Sequence, residues 1–264
     1  MDAWVVERRT LCAVEGGQVV AAVHLHRYGA GPEVGQDYRG GGDIPWVLAW
    51  PEHGAAAIAL LHEARRCLEA WGVPVARASV RLPVPVLGGV ADAWPHLAEA
   101  LQQAGFRAEA GPDLREAVWG GWLPGGDEEA PPPLPGLELV RRLTGWGDTA
   151  LLAVAGGRAI GRCYVRTDLT DGGELPALAG WAVLEDLGVD EGWRGRGVGT
   201  WLLRHAIPWM RLAGCDRVVF AVGEAVEARG AGRLYRRFGW APLTRLQKAW
   251  CAEAEGAGSP PGRA

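Results

Sequence analysis

The chain has 264 residues, 48% of them hydrophobic, which suffices for one large or two small globular domains. Its formal net charge of -4 and pI near 5.9 argue against a nucleic-acid partner, which favours a basic surface. The start, MDAWVVERRT, has no apolar signal core, no stretch approaches the roughly 20 apolar residues of a membrane span, and the five cysteines (Cys12, Cys67, Cys163, Cys215, Cys251) are scattered. A cytoplasmic protein with reduced thiols and no membrane association is therefore expected.

In chain order, residues 13–23 (AVEGGQVVAAV) read as a β-hairpin, with the two glycines supplying positive φ in the turn. His24 and His26 share a strand face, but no third metal ligand is visible, and no metal is expected. A helical pattern from Leu60 to Trp71 stops at Gly72, a strand follows over Val75–Val80, and a second helix ends at Gly105-Phe106. Gly120–Gly136 combines glycines, a short acidic run and Pro131, Pro132, Pro133 and Pro135, and reads as a linker.

The same order then recurs. A strand spans Leu137–Leu143, and only Thr144–Asp148 separate it from a second hairpin at 153–163 (AVAGGRAIGRC). A helix follows from Leu202 to Ala213, stopping at Gly214, then a strand over Arg217–Val222 and a helix ending at Gly239-Trp240. The repeated hairpin, helix, strand and helix indicate a duplication. The expected fold is a mixed-sheet α/β arrangement of two tandem domains, 1–119 and 137–251, joined by linker 120–136 and followed by a disordered tail, 252–264.

The second half alone carries a site motif. An apolar strand (Val183, Leu187, Val189) ends at Asp190-Glu191-Gly192, a glycine-rich turn runs from Arg194 to Gly199, and a helix begins at Thr200. The first amides of a helix lack internal partners, the helix dipole adds about half a positive charge there, and glycines let the backbone close on an anion. The pattern suits a pyrophosphate. It is no P-loop, because it lacks Gly-Lys-Ser/Thr. The glycines run G-x-G-x-G, which departs from the dinucleotide fingerprint. A single copy beside an apolar helix disfavours an RNA-binding RGG segment.

Arg194-Gly195-Arg196-Gly197-Val198-Gly199 resembles the coenzyme-A loop R/Q-x-x-G-x-G/A of GNAT N-acetyltransferases. Leu187-Gly188-Val189 resembles the L-x-V end of that family's fourth strand. Ala231–Trp240 resembles its second signature, A-x-x-L-Y-x-x-x-G-F, so the resemblance covers about residues 148–250. It implies that acetyl-CoA is the cosubstrate, bound at Arg194 and Gly195 and by the amides of Arg196, Gly197, Val198, Gly199 and Thr200. The backbone of Leu187, Gly188 and Val189 would pair with the pantetheine arm, and the Val189 amide would face the oxyanion. Tyr235 would be the general acid for the departing thiolate. Glu185, in a Leu-Glu-Asp-Leu run like that of polyamine-type members, would be the base; alternation on a strand points Asp186 to the opposite face.

The resemblance implies direct transfer of an acetyl or small acyl group to a primary amine of a small molecule or peptide, by a monomer or homodimer. Two departures stand out. Ala228 replaces the family's Asn, and 144–148 is too short for the two helices that usually shape the acceptor pocket. They motivate an alternative, a non-catalytic acyl-CoA sensor. The first half reads HGAAAIA where the loop would be and has Leu101 at the position of Tyr235, so it is expected to be a degenerate GNAT-like copy. Its Trp46, Trp50, Trp71 and Trp94 are expected in core or interdomain positions.

Overall fold

The computed structural model describes residues 4–80, 87–111, 114–126, 130–144, 148–170 and 175–253. In chain order the elements are β1 (Val5–Glu15), β2 (Gln18–Tyr28), β3 (Gly42–Ala49), α1 (Gly54–Ala70), β4 (Val75–Ala78), β5 (Val90–Ala91), α2 (Pro95–Gln103) and β6 (Arg107–Ala108). Then come β7 (Arg115–Trp122), β8 (Leu137–Leu143), β9 (Thr149–Ala155), β10 (Arg158–Arg166), β11 (Trp181–Val189), α3 (Val198–Leu212) and β12 (Arg217–Gly223). A turn, α4 (Glu224–Val226), runs through a π-helical stretch (Glu227–Ala231) into α5 (Gly232–Arg236), followed by β13 (Ala241–Gln247) and β14 (Trp250–Glu253).

The local signals act as their chemistry dictates. Gly16 and Gly17 (φ 55° and 82°) turn β1 into β2, and Gly156 and Gly157 (φ 56° and 77°) turn β9 into β10. In α1 the buried Ala57, Leu61, Ala64 and Leu68 recur every three or four residues and face the first core. The helix stops at Gly72, whose φ of 77° suits a residue without Cβ.

Contacts divide the chain into two compact units: described residues within 1–83, 88–116 and 245–264 form the first, and Leu87 with those within 117–244 the second. This differs from the sequential division at 119 and 137. In the first unit the strands run β1-β2-β3-β4-β14-β6, and in the second β8-β9-β10-β11-β12-β7-β13. Each sheet therefore takes one inner strand from the other half of the sequence. β7 continues through Gly120 to Trp122, where a linker was expected, and β14 includes Ala252, buried at 3%, where the expected tail begins. A sheet with a gap between β12 and β13 would leave two ladders of N–H and C=O groups unpaired, and the exchanged strand fills it.

The antiparallel ladders β1-β2-β3 and β9-β10-β11 correspond at an offset of 140. Ala21 pairs Ala49 as Gly161 pairs Val189, and His26 pairs Asp43 as Arg166 pairs Val183. The register shift between β1 and β2 at Ala13/Val14 recurs between β9 and β10 at 153/154. Parallel pairing of β3 with β4 spans Gly42–Ile44, and that of β11 with β12 spans Trp181–Val183. Side chains differ where chemistry was expected: Leu101 lies fully buried in the first core. Trp50 is 61% exposed, so that tryptophan is not a core residue.

Candidate active site

Three elements of the second unit converge: the C-terminal half of β11, the turn leading into α3, and α5. β11 and β12 pair only from Trp181/Arg217 to Val183/Val219. Beyond that point β11 keeps its antiparallel partner β10 as far as Gly161–Val189. The Val189 carbonyl accepts from Arg194 Nε at 2.9 Å, while Asp190 N donates to Ile160 O of β10 at 2.9 Å. Backbone groups alternate sides along a strand, so the N–H groups of Leu187 and Val189 point away from β10. Those are the positions expected to meet a pantetheine arm and an oxyanion.

After Val189, a 3-10 turn (Glu191–Trp193) leads to Gly195 (φ 73°) and Gly197 (φ 86°), and Gly197 is the N-cap of α3. Both angles lie in the left-handed region that favours glycine. The turn is exposed from Arg194 to Gly197. Trp201 N donates to Gly197 O, the first bond of the helix. Among the described residues, no backbone or side-chain group accepts from the amides of Gly195 through Thr200. The turn is thus exposed and these donors are uncommitted among the described residues. Arg194 spends its Nε on Val189, and Arg196 lies over the Trp193 ring at 5.7 Å.

The expected linker is not a free connector. Ala130 O accepts from Trp201 Nε1 at 2.9 Å and lies 3.2 Å from His205 Nε2, both on α3. A Cβ on Gly197 would sit 3.2 Å from Pro133 Cβ. The proline-rich segment therefore runs beside the loop.

Glu185 corrects the alternation expected of β11. Tyr164 pairs Asp186 and Val165 pairs Leu184, so Glu185 is the extra residue of a β-bulge. The bulge resets the phase. Ala182 and Leu184 face the core before it and Leu187 and Val189 pack there after it, which leaves both Glu185 and Asp186 on the opposite face. Their partners confirm this: Glu185 Oε1 is 2.7 Å from Arg166 Nη2 and Asp186 pairs with Arg162, four residues apart on β10. Asp148, 5% exposed, completes the group, accepting from Arg166 Nε at 2.7 Å. Burial and then the facing Asp148 raise the Glu185 carboxyl above its ordinary range, while Arg166 pulls it down. Sequence reasoning passed over Asp148 and Arg166. Their signal was the hairpin register, since Val165 pairs Thr149 and the next residues on each side are these two.

Tyr235 lies on α5, after a break at Gly230 (φ 105°), with ring centroids 4.5 Å from Phe220, 5.7 Å from Trp119 and 6.3 Å from Trp240. Burial, then the Cys163 and Asp186 side chains, push its phenol up to about 12, so it holds its proton at neutral pH. Trp119 comes from the exchanged strand β7. Burial likewise pushes the Cys163 thiol up, which removes it as a nucleophile. Ala228 is exposed in the π-helical stretch and offers no side-chain donor. Among the described residues no group of three or more His, Cys, Asp or Glu is placed to hold a metal ion, and no helix is long and apolar enough to cross a membrane.

Residues 112–240 match the model of the acetyltransferase (GNAT) family. The fold is similar to that of a tandem GNAT protein from the clavulanic acid biosynthesis pathway (TM-score 0.61, 18% identity, covering 96% of this chain and 84% of that one). It is also similar to a GCN5-related N-acetyltransferase from Sphaerobacter thermophilus (TM-score 0.57, 18% identity, 90% and 78% covered). A third, from Kribbella flavida, has TM-score 0.53 and 16% identity, with 95% and 90% covered. No curated protein matches the chain in sequence.

Proposed function

Residues 112–240 belong to the GNAT acetyltransferase family, and from that premise we propose that the chain transfers an acetyl group, or a similar small acyl group, from coenzyme A to a primary amine. The observation that carries this reading is the run of uncommitted amides from Gly195 to Thr200 at the N-terminus of α3. They supply fixed donors and a positive dipole end to a diphosphate at no reorganisation cost. The open side of β11 at Leu187–Val189 offers the pantetheine arm a strand edge.

In the proposed reaction the amine nitrogen attacks the thioester carbonyl carbon. Glu185, directly or through a water, takes the proton that the amine loses. The Val189 N–H donates to the oxyanion of the tetrahedral intermediate. The C–S bond then breaks, and Tyr235 gives its proton to the departing thiolate. A phenol at about 12 suits this last role, because a leaving thiolate needs a donor that is still protonated.

A second reading, a non-catalytic acyl-CoA sensor, draws on the direct β8–β9 hairpin, in which Thr144 N donates to Asp148 O. That hairpin replaces the helices that usually wall the acceptor. One experiment separates the two. Both readings expect acetyl-CoA to stabilise the protein thermally, by about 2.7 kcal/mol at a hundredfold excess over Kd. Only the transferase releases free thiol when a panel of polyamines, aminoglycosides, amino acids and peptides is offered. Stabilisation without release from any amine would favour the sensor, and the absence of stabilisation would remove both.

A further inference from the structure

The charged group around Glu185 is built from strands of one sheet face, and its order carries more than the placement of a base. Arg166, at the end of β10, stands between two carboxylates: Nε and Nη2 reach Asp148 at 2.7 and 3.5 Å, and Nη2 also reaches Glu185 Oε1 at 2.7 Å. Asp148 is 5% exposed, so this carboxylate and its guanidinium partner form a fixed post. Glu185 is the extra residue of the bulge and has no ladder partner to hold its backbone. Its side chain is held instead by Arg166 Nη2 and by a side-chain hydrogen bond with Asp148.

We propose that Arg166 and Asp148 are positioning residues for Glu185: the guanidinium, locked in place by Asp148, holds the Glu185 carboxylate on the β11 face that also carries Asp186. This rests on reading Glu185 as the base. The charged and titratable groups facing that carboxylate are Arg166 on β10, Asp148 before β9 and Asp186 on its own strand, with Arg162 and Tyr164 further along β10. The arrangement makes opposite demands on two substitutions. Removing the Arg166 charge withdraws the one group that favours ionised Glu185. Removing the Asp148 charge withdraws a like charge and leaves the guanidinium wholly to Glu185.

The test is a carbon-13 NMR titration of glutamate side-chain carboxyls in the full chain, with the Glu185 signal assigned by its loss in Glu185→Gln. Asp148→Asn is expected to lower the Glu185 midpoint by about one pH unit, and Arg166→Gln to raise it by about the same. Arg166→Lys, which keeps the charge, is expected to bring it most of the way back. Unmoved midpoints in the Asn and Gln variants, with amide spectra showing native folds, would overturn the positioning role. Failure of the base reading looks different: Glu185→Gln would keep wild-type thiol release while the midpoints moved as expected. If instead Glu185→Gln abolishes release and the midpoints stay put, the base stands and the positioning role falls.

Discussion

Pro45 stands in β3 where Glu185 stands in β11, each within a register shift between its strand and the preceding one, at 140 residues' separation. A bulge leaves one residue outside the ladder, so proline's missing N–H costs no strand hydrogen bond there. The same correspondence sets Ala22 against Arg162, His26 against Arg166 and Trp46 against Asp186. The first unit thus keeps the strand frame and carries none of these four side chains of β10 and β11.

Gly199 offers the cleanest probe of the proposed coenzyme loop. Its φ is ordinary, and an added Cβ would meet only Val189 Cγ2 at 3.7 Å and Leu234 Cδ2 at 3.8 Å. Gly199→Asp should leave the free protein as stable or slightly more so, because an acidic residue in the first turn complements the helix dipole by about 0.3–1 kcal/mol. It should weaken acetyl-CoA binding at least about tenfold, since one unit charge near a diphosphate costs several kcal/mol at an effective dielectric of about 20. Scanning calorimetry reads the stability and isothermal titration the affinity, and unchanged affinity would remove the loop from the proposed site. Gly197→Glu is the less direct variant, because φ of 86° and Pro133 at 3.2 Å strain any side chain there.

Tyr235→Phe separates packing from proton transfer. The ring keeps its contacts with Phe220, Trp119 and Trp240, so the fold and coenzyme affinity should hold. Turnover should fall about a hundredfold or more if the phenol protonates the thiolate. Stability against pH gives a second readout. The folded-state value of about 12 lies above the unfolded value of about 10, so this contribution is present below about pH 10 and lost as pH rises through about 12. The Phe variant should lack that alkaline loss. Wild-type turnover would return Tyr235 to a packing role.

Strand exchange predicts that the halves do not stand alone. A fragment beginning at Leu137 lacks β7, so its sheet would be open between β12 and β13 and the Tyr235 pocket would lose Trp119, which is fully buried. Losing a buried tryptophan side chain alone costs about 3–5 kcal/mol, a large part of a domain's stability. The fragment should show no cooperative thermal transition by circular dichroism, whereas co-expression with residues 1–126 should restore one. A well-folded fragment 137–264 would contradict the importance of β7.

What could be read directly was local. Gly-Gly turns, apolar residues at helical spacing and the glycines of the loop before α3 each act within a few residues, through φ preference, side-chain period and the unpaired amides of a helix start. The hairpins, α1, α3 and the glycine turn leading into α3 could therefore be placed without coordinates. Tertiary structure alone decided which strands pair and in what register. The inner places of β7 and β14 depend on ladders completed by strands far away in the sequence. The bulge that turns Glu185 and Asp186 to one face depends on β10, and so does the meeting of Asp148, Arg166 and Glu185. Pairing between strands is set by the contacts it completes across the sheet, and no short stretch of sequence carries that information.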